Sequence, residues 1–405
     1  MTTEEEKFVW EHKDDDPVGL RLRFRGKSLP FDVENAITQI ECRQKCSRKL
    51  PHLSSLVCFQ FPSVLAAEQS TSEVLAQFHA SLIPKESHVL DMTCGLGVDD
   101  YFISKRAASV LTFDTNPLTA KIAEENFLRL KAHNIKVINE DSIQWLKNHP
   151  DERFDMIFAD PARRGDHNSR LYALEDTSPD IPFNIELIKA HTDTLYVKMS
   201  PMLDIKQVLG TLQCVSRLWV LSVKNECKEL FAECRFNESL DKPTEIFAIN
   251  FPKEEYTPPH PSIVYFTDQK IPADNIWDNE AVNLQGKLVY IPDSSVLKSG
   301  LSAVVAERFG LVKLNAFTWI YVSSDYHTDF PGRVFKVNEV YGMSQIKKKI
   351  LRGERRNIIC RNFSLKPSQL AVLSGVKEGS NKDFLIGAAI GNKKKEAVLD
   401  CTALS

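Results

Sequence analysis

Residues 88–102, HVLDMTCGLGVDDYF, place a glycine-rich turn directly after a short apolar run. Such a run is typical of a buried strand, and Gly95 and Gly97 lack the Cβ atoms that would keep a ligand away from the backbone. A dinucleotide fingerprint would need a third glycine where Asp100 stands, and a nucleotide-triphosphate loop would need Gly-Lys-Ser/Thr, which this stretch lacks. The turn predicts a ligand site whose chemistry depends on the residues that follow it.

The chain from His88 to about residue 250 alternates short β-rich runs with helical patterns. Strands covered by helices on both faces appear in a sequence as continuous apolar runs. The alternation therefore predicts an α/β fold with a Rossmann-like sheet of seven strands. No long helix follows the last two runs, so we expect them to form an antiparallel hairpin at the sheet edge. The predicted strands are HVLDMT, SVLTFD, KVINED, DMIFAD, TLYVKM, RLWVLSV and TEIFAIN.

The region before the sheet, residues 1–87, has mainly helical patterns. Asp32 precedes apolar residues at helical spacing and is expected to cap a helix. Ser70 and Glu73 have the spacing of a capping box, which predicts a second helix that Pro84 would end.

The region after the sheet predicts two further small domains. Prolines cluster in FPKEEYTPPHPS, which favours a linker. Residues 260–328 continue as strand, helix and strand, as expected of a small α+β, ferredoxin-like domain. Residues 330–405 continue as strand, basic helix, strand and helix. We therefore predict an N-terminal helical region at 1–87, a sheet domain at 88–252, and these two small domains.

Charge is distributed unevenly along the chain. The 405 residues carry a formal net charge of −3, but residues 331–405 hold 15 Lys and Arg against 6 Asp and Glu, a balance of +9. The residues before them hold 36 against 48, a balance of −12. Within the predicted basic helix, positions 348, 352 and 355 or 356 would share one face. The pattern predicts a polyanion partner such as RNA, with an ordinary solvated basic face as the alternative.

Composition argues against a membrane protein and against a metal protein. No run of about 18 apolar residues occurs, and the first residues, MTTEEEKFVWEHKDDD, are acidic where a signal peptide would be basic. The nine cysteines lack paired spacing, and Cys42 and Cys46 fit one face of a helix better than half a metal site. We expect a soluble, cytoplasmic protein with reduced thiols, no membrane contact and no bound metal.

Polar residues follow three further strands of the predicted sheet. Asp114 ends the second strand, where an acidic side chain can accept hydrogen bonds from both hydroxyls of a ribose. Asp141 and Ser142 follow the third strand, where a carboxylate can accept from an adenine amino group. Asp160 and Pro161 follow the fourth strand. Ligands of open α/β sheets bind beyond these carboxyl ends of the strands.

This ordered set of residues resembles the class I S-adenosylmethionine-dependent methyltransferases. The resemblance covers about residues 88–250 and implies S-adenosyl-L-methionine as the cofactor. The alternative is an ordinary α/β sheet whose strand-end aspartates only cap helices. The resemblance implies that Gly95 and Gly97 flank the methionine part of the cofactor, and that Asp91 and Thr93 also belong to the cofactor site. It further implies that Asp114 binds the ribose. Asp141 and the Ser142 amide would bind adenine.

Over its whole length the chain is similar to a bacterial group of methyltransferases that end in a THUMP-like domain. That similarity implies a helix near Ser70 packed over the cofactor, with Gln69 and Thr71 as candidates for binding the cofactor carboxylate. Plain helix capping is the alternative for both residues. The stretches that carry the similarity are LAAEQSTSEVLAQFHASLIP, DMTCGLGVDD, FADPARRG, YVKMSP and FPGRVFKV.

The residues after the fourth strand determine which acceptor chemistry is expected. Enzymes that methylate exocyclic amines have the motif Asp/Asn-Pro-Pro-aromatic at this place, and the aromatic ring stacks on the substrate base. In this sequence Arg163 stands at the aromatic position. Tyr172 or Phe183 would therefore have to supply the ring that stacks on the base. DPARRG also resembles the Asp-Pro-Pro-Arg-x-Gly of 5-methyluridine enzymes, which need a cysteine nucleophile. Met199 occupies the expected place of that cysteine, in Lys-Met-Ser-Pro. Direct transfer to a nitrogen or oxygen is therefore predicted.

The expected roles follow from this acceptor chemistry. Asp160, with Pro161 beside it, would orient the acceptor or take its proton, while Arg163 and Arg164 would clamp phosphates or else form surface ion pairs. Lys198 would face the substrate or balance nearby carboxylates. The sequence thus predicts a methyltransferase acting on RNA, either rRNA or tRNA, with a basic C-terminal module that binds the RNA. The alternatives are a small-molecule or protein methyltransferase and a non-catalytic RNA-binding protein.

Overall fold

The computed structural model describes most of the chain and divides it into two compact units. The described residues are 1–163, 174–239, 242–278, 281–348, 351–380, 382–391 and 395–404. The first unit comprises Met1–Lys224, Lys228–Thr244 and Phe251–His260, and the second comprises Asn225–Cys227, Glu245–Asn250 and Pro261–Ser405.

The first unit begins with six helices, as the N-terminal patterns predicted. Asp32 caps the third helix by accepting a hydrogen bond from the Asn35 amide at 3.0 Å, which confirms the predicted start. Ile37 and Ile40 on that helix are buried in a cluster with Phe8. The helices are α1 (Thr3–Glu11), α2 (Pro17–Phe24), α3 (Val33–Cys46), α4 (Pro51–Ser55), α5 (Val64–Gln69) and α6 (Glu73–Leu82).

The predicted capping box at Ser70 and Glu73 is wrong, although the helix itself exists. The Ser70 hydroxyl donates to the Ala67 carbonyl at 2.9 Å instead. The buried Glu73 carboxylate accepts from the amides of His52 and Leu53, at 3.2 and 2.7 Å. These amides belong to the first turn of α4, whose donors have no partner within the helix. Glu73 therefore caps a neighbouring helix rather than its own.

The strands of the first unit form the predicted Rossmann-like layer. Neighbours within β1 to β4 and β7 pair in parallel, and β9 joins β7 in antiparallel register, with Met199 opposite Leu230. Among the described residues of the first unit, seven strands of this sheet lie in the order β3-β2-β1-β4-β7-β9-β8, while β5 and β6 form a separate antiparallel pair. The strands are β1 (His88–Asp91), β2 (Ser109–Phe113), β3 (Ile135–Ile138), β4 (Met156–Ala159), β5 (Ala162–Arg163), β6 (Thr177–Ser178), β7 (Thr194–Met199), β8 (Val215–Val223) and β9 (Glu226–Arg235).

Helices connect the parallel strands, as in an α/β fold. Asn116 caps one of them by accepting from the Leu118 and Thr119 amides, and Pro117 stands at its first position. Its buried face includes Ala123 and Phe127. The connecting helices are α7 (Val98–Ser104), α8 (Pro117–Arg129), α9 (Ser142–Asn148), α10 (Ile185–His191) and α11 (Ile205–Thr211).

One strand of this layer was missed by the sequence pattern. After β8 the chain turns at Lys224 and Asn225, both with positive φ, 51° and 60°, and returns as β9. Positive φ at both central residues is the geometry of a tight two-residue hairpin turn. β9 contains the charged residues Glu229 and Glu233, and both are buried. The hairpin after RLWVLSV is therefore formed by β9, and TEIFAIN follows as a later strand rather than as the next strand along the chain that the prediction assumed.

The second unit contains the strand predicted at TEIFAIN and a large antiparallel and mixed sheet. β10 (Glu245–Phe251) pairs with β11 (Ile263–Phe266) in antiparallel register. A continuous eight-stranded sheet then has the order β13-β14-β12-β15-β19-β18-β16-β17. Its members are β12 (Leu288–Pro292), β13 (Val312–Asn315), β14 (Thr318–Ser323), β15 (Gly332–Gly342), β16 (Arg355–Arg361), β17 (Lys377–Glu378), β18 (Asp383–Ile390) and β19 (Lys395–Ala403), with helices α12 (Ser294–Ser299), α13 (Ser302–Arg308), α14 (Met343–Lys347) and α15 (Pro367–Ser374).

The predicted basic helix is shorter than its charge pattern suggested, and the shared basic face is wrong. α14 ends at Lys347, Gly353 has a φ of +89°, and Arg355 and Arg356 already lie on strand β16. The β-branched and apolar residues that follow favour a strand, which pairs in parallel with β18. Arg356 is neutralised by Asp400 at 2.8 Å. Lys349 lies outside the described residues.

No helix in the described ranges is both long and apolar enough to cross a membrane. Cys42 and Cys46 are buried on α3, as predicted, and no disulfide bond joins cysteines within the described residues.

Candidate active site

A cavity of about 900 Å³ lies at the carboxyl ends of the parallel strands in the first unit. This is the position at which open α/β sheets bind ligands. Gln69 and Thr71, from the segment before α6, also contribute to its wall. The other sequence-predicted residues that line the cavity are Thr93, Gly95, Gly97, Asp114, Asp141, Ser142, Asp160, Pro161 and Lys198.

The two glycines of the turn have different roles. Both have positive φ, 52° at Gly95 and 75° at Gly97. A Cβ on Gly97 would lie 2.4 Å from the Phe127 ring, so the absence of a side chain there lets α8 pack against the turn. A Cβ on Gly95 would meet no protein atom within 4 Å. Because Gly95 also lines the cavity, its missing side chain leaves room for a ligand.

Gly97→Ala is expected to lower the free energy of unfolding by about 2–4 kcal/mol, through left-handed backbone strain and overpacking against Phe127. Gly95→Ala is the matched control, because it adds only the backbone strain, about 1–2 kcal/mol. Urea unfolding followed by circular dichroism measures both variants. Equal losses would show that the Phe127 contact has no energetic weight.

Asp114 and Asp141 both line the cavity. Asp114 accepts from the Gly95 amide at 3.1 Å and from the Asn116 amide at 2.8 Å, and burial raises its pKa. A carboxylate oxygen accepts more than one hydrogen bond, so both oxygens can still bind hydroxyls. Asp141 caps α9 by accepting from the Gln144 amide at 2.9 Å. Helix capping, the alternative considered for these aspartates, therefore does apply to Asp141.

Asp91 is not among the residues that line the cavity; instead it forms hydrogen bonds with the glycine turn. It is buried and accepts from the Thr93 amide at 2.8 Å and the Thr93 hydroxyl at 3.2 Å. The same hydroxyl oxygen accepts from the Asp160 amide at 2.7 Å. Burial and the nearby Asp100 raise the pKa of Asp91, and burial raises the pKa of Asp100 to about 7. Asp91 thus connects the glycine turn to the loop after β4.

The loop after β4 and the end of β7 bring Asp160 and Lys198 together. Lys198 donates to Asp160 Oδ2 at 2.5 Å and to the Thr71 hydroxyl oxygen at 2.7 Å. The Lys198 side chain is 12% exposed and that of Asp160 is 38% exposed, so the carboxylate is the more accessible partner. Burial raises the pKa of Asp160 against the opposing effect of Lys198. The pair presents a donor and an acceptor side by side in the cavity wall.

A row of buried, hydrogen-bonded side chains extends from this pair into the protein interior. The sequence analysis did not predict it. The Thr71 hydroxyl contacts Asp99, and Asp99 Oδ1 lies 2.8 Å from His79 Nδ1. His79 Nε2 lies 2.5 Å from Glu229 Oε1, and the ring stacks on Phe231 with centroids 4.2 Å apart. Burial opposes the charge on His79, but Glu229 and Asp99 raise its pKa to about 9. The imidazole is therefore a buried cation between two carboxylates.

The sequence contains only a weak signal for this row of hydrogen-bonded charged side chains. His79 lies among apolar residues of α6, where a histidine is commonly a core residue, and Glu229 lies on the missed strand β9. Of these residues, only Asp99 lies close in sequence to the glycine turn, two residues after Gly97.

Some predicted residues are not part of the described cavity. Arg163 lies on the short strand β5, with its backbone opposite Thr177. Phe183, proposed as a stacking ring, is 84% exposed and also lies outside the wall. Arg164 and Tyr172 lie outside the described residues. Within the described part of the chain, no group of three or more His, Cys, Asp or Glu has the arrangement of a metal site.

Three family models match the chain. Residues 71–177 match the family described as conserved hypothetical protein 95, residues 289–331 match a ferredoxin-like domain, and residues 332–403 match a THUMP-like domain.

Two curated relatives match shorter parts of the chain. An uncharacterised protein of Methanocaldococcus jannaschii is 32% identical over 93 residues, which are 22% of this chain and 32% of that protein. The 23S rRNA (uracil(1939)-C(5))-methyltransferase RlmD of Salmonella typhimurium is 34% identical over 86 residues, which are 20% of this chain and 19% of that protein. The chain thus spans a third or less of the length of these relatives.

One solved structure matches nearly the whole chain. It is a candidate methyltransferase from Porphyromonas gingivalis W83, 28% identical, with a TM-score of 0.83, and the match covers 99% of this chain and 98% of that chain. Together with the family models and the sheet described above, this likeness confirms the resemblance drawn from the sequence. The chain is thus similar to this methyltransferase over nearly its whole length, and its C-terminal part matches ferredoxin-like and THUMP-like domains.

Proposed function

We propose that this protein transfers the methyl group of S-adenosyl-L-methionine directly to a nitrogen or oxygen of RNA, either rRNA or tRNA. The observation that carries the proposal is the cavity at the strand ends, which combines a glycine turn, Asp114 and the Asp160–Lys198 pair. The sulfonium cofactor is already an activated methyl donor, so the protein has to supply binding, alignment and a proton acceptor.

The cavity residues fit the family cofactor. The open space beside Gly95 admits a ligand against the backbone, and the two oxygens of Asp114 can accept from ribose hydroxyls. Asp141 and Ser142 stand at the start of α9, on the same wall, where adenine would bind. Gln69 is our candidate for the methionine carboxylate, because the Thr71 hydroxyl already donates its hydrogen to Asp99.

Direct transfer is favoured over a covalent ring-carbon mechanism by the cysteines near the cavity. Met199 ends β7, where the sequence comparison would require the nucleophile. Cys94 does line the cavity, but burial raises its pKa well above the ordinary value, so it remains a thiol. A thiol is a poor nucleophile compared with a thiolate. This chain therefore differs in chemistry from a uracil C5 enzyme such as the Salmonella relative.

RNA is supported as the substrate by three observations of different kinds. The C-terminal region matches a THUMP-like domain, the Salmonella relative is named as an rRNA methyltransferase, and residues 331–405 carry a balance of +9. We propose that the C-terminal unit binds RNA mainly through phosphate contacts, which position a substrate without identifying its sequence. We also propose a cytoplasmic location, because the scattered spacing of the cysteines in the sequence fits reduced thiols.

Asp114→Ala is expected to weaken cofactor binding at least about 10-fold, because hydrogen bonds to a charged group contribute about 1.5–3 kcal/mol each. Isothermal titration calorimetry with S-adenosylmethionine and its demethylated product measures the effect. Asp193→Ala is the matched control, since that aspartate is exposed and pairs with Arg153 away from the cavity. Unchanged binding in Asp114→Ala would remove this residue from the cofactor site.

Transfer of radioactive methyl groups from the cofactor to bulk RNA tests the activity itself. We expect label in RNA and none in protein. Label only in protein or in small molecules would replace RNA with that substrate class. Cofactor-independent RNA retention without transfer would favour a non-catalytic RNA-binding protein.

A further inference from the structure

The Asp160–Lys198 pair restricts the chemical class of the acceptor. An exocyclic amine must give its hydrogens to acceptors so that its lone pair points at the methyl group. Beside the Asp160 carboxylate, this cavity instead holds an ammonium, 2.5 Å away, which can only donate. An ammonium next to the amine would compete with the methyl group for the lone pair. The geometry is therefore poorly matched to an amine.

Lys198 has one donor left for a substrate. An ammonium carries three N–H groups, of which one is directed at Asp160 and one at the Thr71 hydroxyl. Among the described residues the third has no acceptor. Since Lys198 lines the cavity, this donor is available to a carbonyl oxygen of a bound base.

Buried side chains next to Lys198 hold its ammonium group in place and keep it charged. Thr71, which accepts from Lys198, itself contacts Asp99, and Asp99 is held by the buried His79. Burial alone would lower the pKa of Lys198, but Asp160, Asp99 and Glu229 raise it above its ordinary value. Lys198 therefore stays protonated and cannot act as the base. A fixed cation of this kind stabilises negative charge that develops on a neighbouring oxygen.

Asp160 is the group that can take a proton. Its Oδ2 is occupied by Lys198, and its Oδ1 accepts no hydrogen bond from the described residues. The side chain is 38% exposed and lines the cavity, so a substrate N–H can reach it. Together the pair offers one donor and one acceptor to adjacent atoms of a ligand.

We infer that the acceptor is a lactam ring nitrogen, the N–H next to a carbonyl in guanine (N1) or uracil (N3), rather than an exocyclic amine. The inference rests on the proposed RNA methyltransferase function. Lys198 donates to the carbonyl oxygen and Asp160 accepts the ring N–H. The ring nitrogen attacks the methyl carbon, its proton passes to Asp160, and the nitrogen–carbon bond forms. The carbon–sulfur bond breaks with its electron pair left on sulfur, which gives neutral S-adenosylhomocysteine.

The test identifies the methylated nucleoside. The purified full-length protein is incubated with isotopically labelled S-adenosylmethionine and RNA from cells that lack it, and the digested RNA is analysed by mass spectrometry. Labelled 1-methylguanosine or 3-methyluridine supports the inference and distinguishes guanine from uracil. Labelled N6-methyladenosine, N4-methylcytidine or N2-methylguanosine overturns it while leaving the proposed function intact. An absence of label in every nucleoside overturns both.

A second measurement tests the role of Lys198. Lys198→Met is expected to lower the transfer rate about 100-fold or more, as for loss of one preorganised donor. Lys198→Arg, which keeps a cation and donors, should recover part of that rate. Calorimetry with S-adenosylmethionine confirms that both variants are folded and bind the cofactor. A wild-type transfer rate in Lys198→Met, or equal transfer rates in Lys198→Met and Lys198→Arg, would overturn the role assigned to this lysine.

Discussion

Asp160→Asn is expected to lower methyl transfer by about 100- to 10,000-fold, the range typical of a lost general base. The amide keeps the size of the carboxylate and one acceptor oxygen, so the acceptor can still be positioned, but an amide does not take up a proton. Lys198 also loses its charged partner at 2.5 Å. Single-turnover kinetics with excess enzyme measure the chemical step separately from product release.

The matched control is Asp193→Asn, which changes an exposed carboxylate elsewhere in the same unit. Cofactor affinity of Asp160→Asn should stay within about threefold of the wild-type value, because the residue lies at the acceptor end of the cavity. Full activity in Asp160→Asn would move the proton acceptor to another group. RNA retention that is equal in all variants, without transfer in any, would indicate a binding protein.

His79→Leu is expected to lower the free energy of unfolding by about 3–5 kcal/mol, because breaking a buried ion pair leaves an uncompensated charge. The imidazole is fully buried between Asp99 and Glu229, and leucine can neutralise neither. The double variant His79→Leu with Glu229→Leu should recover part of the loss, since it removes one of the two stranded carboxylates. Urea unfolding at pH 7 measures both, and an unchanged midpoint in His79→Leu would refute the buried ion chain.

The same histidine predicts a pH dependence of stability. Its pKa is raised to about 9 in the folded protein from an ordinary value of 6.5. A raised pKa means that the stabilisation is fully present below about pH 6.5 and is lost as the pH rises through about 9. The shift corresponds to about 3 kcal/mol. Wild-type unfolding midpoints should therefore fall between pH 7 and 10 more steeply than those of His79→Leu, and parallel curves would contradict the assignment.

The cavity wall could be predicted from the sequence because parallel strands bring their carboxyl ends to one edge of a sheet. Asp114, Asp141 and Asp160 each follow a strand, so their positions along the chain were enough to bring them together. The Thr71–Asp99 contact and the His79–Glu229 pair could not be predicted in this way. Each joins residues from different elements, and no local period records which carboxylate a buried histidine will meet.

The errors have a common physical origin. Glu229 and Glu233 interrupt the apolar pattern of β9, although their charges are compensated inside the fold by His79 and by Arg235. The lysines and arginines after Gln345 suggested one long helix, but the apolar run after Arg356 favours a strand. Charge patterns identify exposed surfaces well only when no partner across the fold neutralises them.

The eight-stranded sheet of the second unit has a practical consequence for dissecting this protein. β12 belongs to the region that matches the ferredoxin-like domain, yet it is hydrogen-bonded along five residues to β15, which belongs to the THUMP-like region. Truncation before residue 332 would leave a bare strand edge, the usual starting point for aggregation. Anyone who wishes to transplant the basic terminus onto another enzyme should therefore move both regions as a single block.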